Sequence, residues 1–204
     1  MQRRVSILLA SALAALTALA PLPARAGAQV EEALAPSVAT VLSRAISDRP
    51  VPAYWEQRPD ARAWIEDMSR RLASRVPDEA ERRDLLRTVH YESVRAGLDP
   101  QLVLAVIHHE SGFKKYAVSR AGARGFMQVM PFWIQLVGAK SDDLFDMRKN
   151  IRYGCTILRH YLDIEKGDLY RALGRYNGSL GRPDYPRAVE AAWKRRWHYD
   201  GKLD

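Results

Sequence analysis

From Pro59 to the C-terminal tryptophans, apolar residues return every three or four positions, and no run alternates polar and β-branched residues as a half-buried strand would. Trp64, Ile65, Met68 and Leu72 line one face of a predicted helix over 61–75. Pro77-Asp78 opens a second, in which Leu85, Leu86, Val89 and Ser93 keep helical spacing until Gly97 closes it. Asp99 and Pro100 start a third as N-cap and first-turn proline, with Leu102, Val103, Val106 and Ile107 on its apolar side. Ile151, Gly154, Cys155, Leu158 and Leu162 place a helix over 150–164 that turns Cys155 inward, as a structural thiol rather than a reactive one. Asp168 caps a short helix through Gly174, and Pro186 opens a last one carrying Val189, Trp193 and Trp197 on one face. Upstream, a short helix over 36–47 precedes a breaker cluster, Arg49-Pro50-Val51-Pro52, that reads as an extended linker. The pattern predicts an all-α chain with no internal repeat.

The first residues follow a different rule. Arg3 and Arg4 precede an uncharged apolar run from Val5 to Ala20, and Ala24-Arg25-Ala26 supplies small residues at both positions that specify cleavage. The run is shorter than the roughly 20 residues of a spanning helix, so it predicts a secretory signal peptide over 1–26, a mature chain starting at Gly27, and a periplasmic location. Cys155 is the only cysteine, which excludes both an internal disulfide and a lipid on a new N-terminal cysteine, so no stable membrane anchor is expected after cleavage. Residues 1–26 carry three arginines and no acid, so their removal takes the net charge from +8 to +5. On an exported protein such an excess suits cell-wall polymers or lipid headgroups better than nucleic acid.

One polar residue breaks an apolar stripe. In the series Leu102, Val103, Val106, Ile107, the next position on the same helix face is Glu110. Gly112 follows as a left-handed cap, which puts Glu110 in the last turn, at the negative end of the helix dipole. Burial and dipole both oppose the anion and raise the carboxyl pKa, as a general acid near neutral pH requires. A glutamate at the edge of a stripe can equally reach solvent and do nothing, so the stripe alone leaves the matter open.

The residues downstream decide it. Glu110-Ser111-Gly112-Phe113 is followed by Ser119 and then by Gly122-Ala123-Arg124-Gly125-Phe126-Met127-Gln128-Val129-Met130-Pro131. This resembles the Glu-Ser and Gly-Leu-Met-Gln motifs of the family 1 lytic transglycosylases, whose domain has a goose-lysozyme-like fold. The resemblance continues at Leu144-Phe145-Asp146, Asn150-Ile151, Gly154 and Tyr176-Asn177, and spans residues 82 to 185. It implies a lysozyme-like domain over 81–204, with 27–80 as a helical extension of unassigned role. It also implies cleavage of the β-1,4 bond between N-acetylmuramic acid and N-acetylglucosamine of peptidoglycan glycan strands, leaving 1,6-anhydro ends. By the same resemblance Glu110 is the acid/base, Ser119, Gln128 and Met130 line the groove, Tyr176 orients Glu110, and Asn177 fixes the turn beneath. Gly122 and Gly125 would let the backbone approach the polymer closely. Phe126 stands where the family has leucine, Gly178-Ser179 where it has Ala-Gly, and Arg175 where a small residue is common, which bears on groove shape and charge preference.

Other chemistries fit less well. His108-His109-Glu110 is half of a zinc motif, but position 113 is Phe113, and adjacent residues project about 100° apart on a helix, so no metal and no cofactor are expected. Neither Ser111 nor Ser119 lies in a nucleophile-elbow pattern. Trp193-Lys194-Arg195-Arg196-Trp197 reads as a helix with both tryptophans packed inward and the cations solvated, rather than as a nucleic-acid patch. A hydrolytic muramidase of the same fold, or an inactive wall-binding scaffold, is the alternative function, and secretion or envelope machinery is the remaining partner class.

Overall fold

A computed structural model describes residues 29–47 and 50–201, the side chains of Tyr54 and Glu56 excepted; the expected signal peptide and the Gly27 start lie outside the described residues. Eight α-helices follow one another: α1 (Pro36–Ile46), α2 (Pro59–Leu72), α3 (Glu79–Arg95), α4 (Pro100–Glu110), α5 (Phe132–Val137), α6 (Met147–Ile164), α7 (Leu169–Tyr176) and α8 (Asp184–Ala191). The described residues form no strand, only isolated bridges Val118 to Arg124 and Arg124 to Val129, so the chain is all-α as its periodicity predicts. No helix among the described residues is long and apolar enough to cross a membrane.

Four aspartates set four helix starts. Asp78, Asp99, Asp146 and Asp168 accept the backbone N–H of Glu81, Gln101, Lys149 and Arg171, which begins α3, α4, α6 and α7. Each such cap is worth about 1 kcal/mol. Asp146 therefore starts α6 at Met147, one turn before the expected residue 150. α6 is buried on most of its surface, and α1, α3 and α7 pack around it. Gly154 lets it approach the site loop, because a Cβ there would fall 2.3 Å from Met127 Sδ.

Three segments differ from their sequence reading. The expected linker contains a 3-10 turn, Ala53–Gln57, that tucks Trp55 against the core, where its indole donates to His90 Nδ1 at 3.2 Å. The helix α5 was not anticipated, since six residues are too few to establish a period. The last helix begins at Asp184 rather than Pro186, and beyond Ala191 it widens into a π turn closed by Trp197 N–H on Ala192 O. That extra residue seats Trp197 fully inside and leaves Lys194, Arg195 and Arg196 in solvent.

Residues on both sides of position 80 share one apolar core: Trp64, Met68 and Leu72 of α2 lie in it with Leu85, Leu86, Val103 and Ile107. Inside it runs one ion pair, Arg152 of α6 with Glu92 of α3 at 2.7 Å, the two side chains 1% and 0% exposed. Arg95 adds a second cation to Glu92 at 2.9 Å, and Arg152 also reaches Ser47 O beyond α1. Cys155 is buried, and burial with the nearby Glu92 raises its thiol pKa, consistent with a structural role.

Candidate active site

Helix α4 ends where its stripe meets Glu110. Ser111 closes the last turn, with Oγ donating to Ile107 O and accepting Phe113 N–H, and Gly112 (φ 59°) then turns left-handed as expected. Phe113 is left-handed as well (φ 70°), which costs a non-glycine residue about 1–2 kcal/mol. Its ring is buried edge-on against Trp197, which offsets that cost. The chain thus swings away from Glu110 and leaves its half-buried carboxyl facing the loop ends of α7 and α8.

There the carboxyl meets two neutral donors. Tyr185 donates its hydroxyl to Glu110 Oε1 at 2.5 Å, and the Asn177 side chain makes a second hydrogen bond. Burial raises the Glu110 pKa from 4.5 to about 7, and the two hydrogen bonds, which favour the anion, pull only part of the way back. No second carboxylate among the described residues contributes to that shift. The five acids between positions 142 and 165 are engaged with other groups. Asp142 accepts from Tyr153 and Lys149, Asp143 and Asp146 accept backbone N–H groups, Asp163 pairs with Arg159, and Glu165 holds Arg171 and Arg175.

Tyr176 is fully buried, close enough for the Glu110 charge to add to the burial that raises its pKa, but its hydroxyl donates to Met127 O at 2.7 Å. The hydroxyl that reaches Glu110 is that of Tyr185, and the Asn177 side chain stands close enough to favour the anion. The sequence carried little to reveal Tyr185: it sits among breakers, Gly-Arg-Pro-Asp-Tyr-Pro, and reaches Glu110 across 75 positions.

Gln128 is 5% exposed and left-handed (φ 50°), and its amide donates to Ala117 O at 3.1 Å and Gly125 O at 2.9 Å, so it staples the loop. Ser119 is half-buried and accepts Ala123 N–H, while Met130 is half-buried at the end of the same loop. Asn150 anchors that loop from α6, bonding Met127 N, Arg124 O and Leu144 O, each at 2.8 Å. Gly125 is required by this contact, since a Cβ there would lie 2.4 Å from Asn150 Nδ2; Gly122 (φ 91°) is needed for its turn. Arg175 is occupied by Glu165 and Glu32.

The two histidines behave as packing residues. Their rings stack at 5.2 Å and 15°, so the projection argument does not separate them. His108 is engaged through Trp197 on Nδ1 and Arg75 on Nε2, and burial with nearby Arg75 lowers its pKa to about 4. Among the described residues no three His, Cys, Asp or Glu side chains converge as metal ligands do.

Comparison with known proteins places this arrangement. The family described as the transglycosylase SLT domain matches residues 87–194. A transglycosylase of Enterobacteria phage PRD1 is 34% identical over 98 residues, covering 48% of this chain and 36% of its own. The membrane-bound lytic murein transglycosylase C of Edwardsiella ictaluri is 34% identical over 128 residues, covering 52% and 34%. This chain thus spans about a third of the length of the curated relatives it matches. Among solved structures, the 70 kDa soluble lytic transglycosylase of Escherichia coli aligns with 72% of this chain and 32% of its own at 15% identity, with a TM-score of 0.37.

Proposed function

Because this chain belongs to the transglycosylase SLT domain family, we propose that it cleaves the β-1,4 bond between N-acetylmuramic acid and N-acetylglucosamine with Glu110 as its single acid/base. The observation that carries this reading is a carboxyl group with a pKa of about 7, held by a phenol and an amide and by no cation. A conventional hydrolase uses a second carboxylate, roughly 5–5.5 Å away for retention or 6.5–9.5 Å for inversion. No second carboxylate among the described residues enters the surroundings that set the Glu110 pKa, and on this reading the reaction draws its nucleophile from the substrate.

Glu110 donates its proton to the leaving glycosidic oxygen as the muramic acetamido carbonyl attacks the anomeric carbon and the C1–O bond breaks. The Glu110 carboxylate then takes the proton of the sugar's own 6-hydroxyl, whose oxygen closes onto that carbon and displaces the acetamido oxygen. No water is consumed, and Glu110 ends protonated. Tyr185 and Asn177 hold the carboxyl in position through both steps and stabilise the anion between them. Export by the predicted signal peptide would bring the enzyme to its polymer.

The test is digestion of purified sacculi in ¹⁸O-labelled water with mass spectrometry of the fragments. Unlabelled 1,6-anhydromuramoyl ends, lighter by one water than a hydrolytic product, are expected. Predominant label in new muramic acid ends would instead identify a muramidase, and the absence of any fragment would leave a wall-binding scaffold.

A further inference from the structure

His108, near the end of α4, lies between two donors. The Trp197 indole meets its Nδ1 at 3.3 Å, and Arg75 Nη2 stands 3.2 Å from its Nε2. A neutral imidazole has one acceptor nitrogen, and its other nitrogen carries a hydrogen. His108 is neutral at pH 7, because burial and the nearby charges of Arg75 and Arg196 lower its pKa to about 4. It therefore accepts from only one of the two. The indole has the stronger claim: Trp197 is fully buried and its N–H has no substitute for Nδ1, whereas Arg75 is exposed and can turn to water. Nδ1 is then the acceptor, Nε2 carries the hydrogen, and that N–H faces a guanidinium with no acceptor between them.

A third cation is held to the same corner. Arg71 donates to Arg196 O at 3.3 Å and to His198 O at 2.6 Å, which ties the C-terminal segment to the end of α2 beside Arg75. The Arg196 guanidinium lies 5.9 Å from the centre of the Trp197 ring, whose N–H meets His108. Lys194 and Arg195 are exposed on the same π turn. Asp67 takes Arg70 and Arg71, and Glu190 takes Lys194, but among the described residues no carboxylate pairs with Arg75, Arg195 or Arg196. Cations at helix ends complement the macrodipole, which accounts for Arg70 and Arg71 but not for a guanidinium set against an imidazole N–H.

Two guanidinium groups and an imidazole N–H, with no acid among them, form the donor set of a phosphate oxyanion. We propose that Arg75, His108 Nε2–H and Arg196 take the phosphate of an anionic lipid headgroup, docking the corner between the end of α2 and the π turn on a membrane surface. A headgroup suits it better than a lone carboxylate. Lys194 and Arg195 carry the cationic surface beyond the three donors, with Trp197 packed behind them, so the corner is built to meet an array of anions rather than one. Each cation near an anionic bilayer adds a comparable increment of attraction. The site uses none of the groups around Glu110, so it stands or falls apart from the reaction proposed above.

Long-range ¹H–¹⁵N spectra of the imidazoles at neutral pH should show His108 as the Nε2–H tautomer. The Nδ1–H tautomer would give Arg75 its acceptor and overturn the site. Sedimentation with vesicles reports the partner: the protein should bind phosphatidylglycerol and phosphatidylcholine mixed in equal parts, and not phosphatidylcholine alone. Arg75→Gln should weaken that binding about fivefold, and Arg75→Gln with Arg196→Gln about thirtyfold, at unchanged thermal melting. Arg75→Lys keeps the charge but loses the planar fork and should weaken binding too, while Lys140→Gln, at an exposed cation in the turn after α5, should leave it unchanged. Full binding by Arg75→Lys, or an equal loss from Lys140→Gln, reduces the corner to general charge attraction and overturns the site. Inorganic phosphate that shifts the His108 Nε2–H signal without any vesicle binding overturns the membrane assignment. So does a dependence on Arg75 seen only in binding to purified sacculi, which would give the donors to stem-peptide carboxylates.

Discussion

Two glutamates on consecutive helices leave water when this chain folds, and they are treated in opposite ways. Glu92 of α3 is fully buried between Arg152 and Arg95, at 2.7 and 2.9 Å. Among the described residues Glu110 of α4 has no cation beside it, but the hydroxyl of Tyr185 and the amide of Asn177, and its pKa rises to about 7. A carboxylate beside guanidinium groups gains Coulomb attraction that compensates its lost hydration, so it stays in place and does no chemistry. A carboxyl with neutral donors keeps its proton up to neutral pH while remaining able to release it. The difference in partners, more than the extent of burial, separates a structural glutamate from a reactive one.

The contrast breaks most sharply in activity. Glu110→Gln should lose roughly 10²–10⁴-fold or more in fragment release from sacculi, because one group serves both proton transfers, while its circular dichroism stays unchanged. Turnover above a tenth of wild type would assign the chemistry elsewhere. Glu92→Ala should do the reverse. It leaves Arg152 buried without its carboxylate and should cost about 3–5 kcal/mol in urea unfolding, with kcat per folded molecule retained. Replacing both partners, Glu92→Leu with Arg152→Met, should recover most of that loss; if it does not, the pair specifies the fold beyond its charge.

Finer changes sharpen the comparison. Tyr185→Phe should lower kcat about tenfold, equivalent to ~1.4 kcal/mol of transition-state stabilisation. Tyr185 favours the Glu110 anion, so its removal raises the carboxyl pKa further and moves the alkaline limb of the pH–kcat/KM profile upward. A downward shift would contradict the assigned donor. The smallest effect concerns stability. Between the ordinary value of 4.5 and the folded value of about 7, native Glu110 holds a proton that the unfolded chain has released, so its contribution falls as pH rises through that window. Glu110→Gln escapes this loss. Its melting temperature should match wild type below pH 4.5 and exceed it above pH 7.

Much of this was legible along the chain, for local reasons. The stripe ending at Glu110, the caps at Asp99 and Asp168 and the inward faces of the α6 and α8 segments follow from periodicities of three and four and from short-range capping. Trp193 and Trp197 face inward, as their spacing predicts, although the π turn between them did not follow from it. The family resemblance singled out Ser119, Gln128 and Met130, but it did not show that the Gln128 amide turns inward to staple Ala117 and Gly125. A motif records which residues recur at a site and says nothing of which atoms they present.

What the sequence by itself determined is therefore the helical class, most helix starts, and the one carboxyl set into an apolar stripe, because each depends on neighbours within a turn or two. Only the tertiary structure decided which groups touch that carboxyl. Tyr185 and Asn177 reach it from the ends of other helices, Tyr176 turns to Met127 instead, and the Gln29 side chain bonds Gln128 O and Met130 N. These partners lie 49 to 101 positions apart along the chain and carry no common period. Hydrogen bonds of about 3 Å select among donors by where packing places them, and that placement is a property of the whole core.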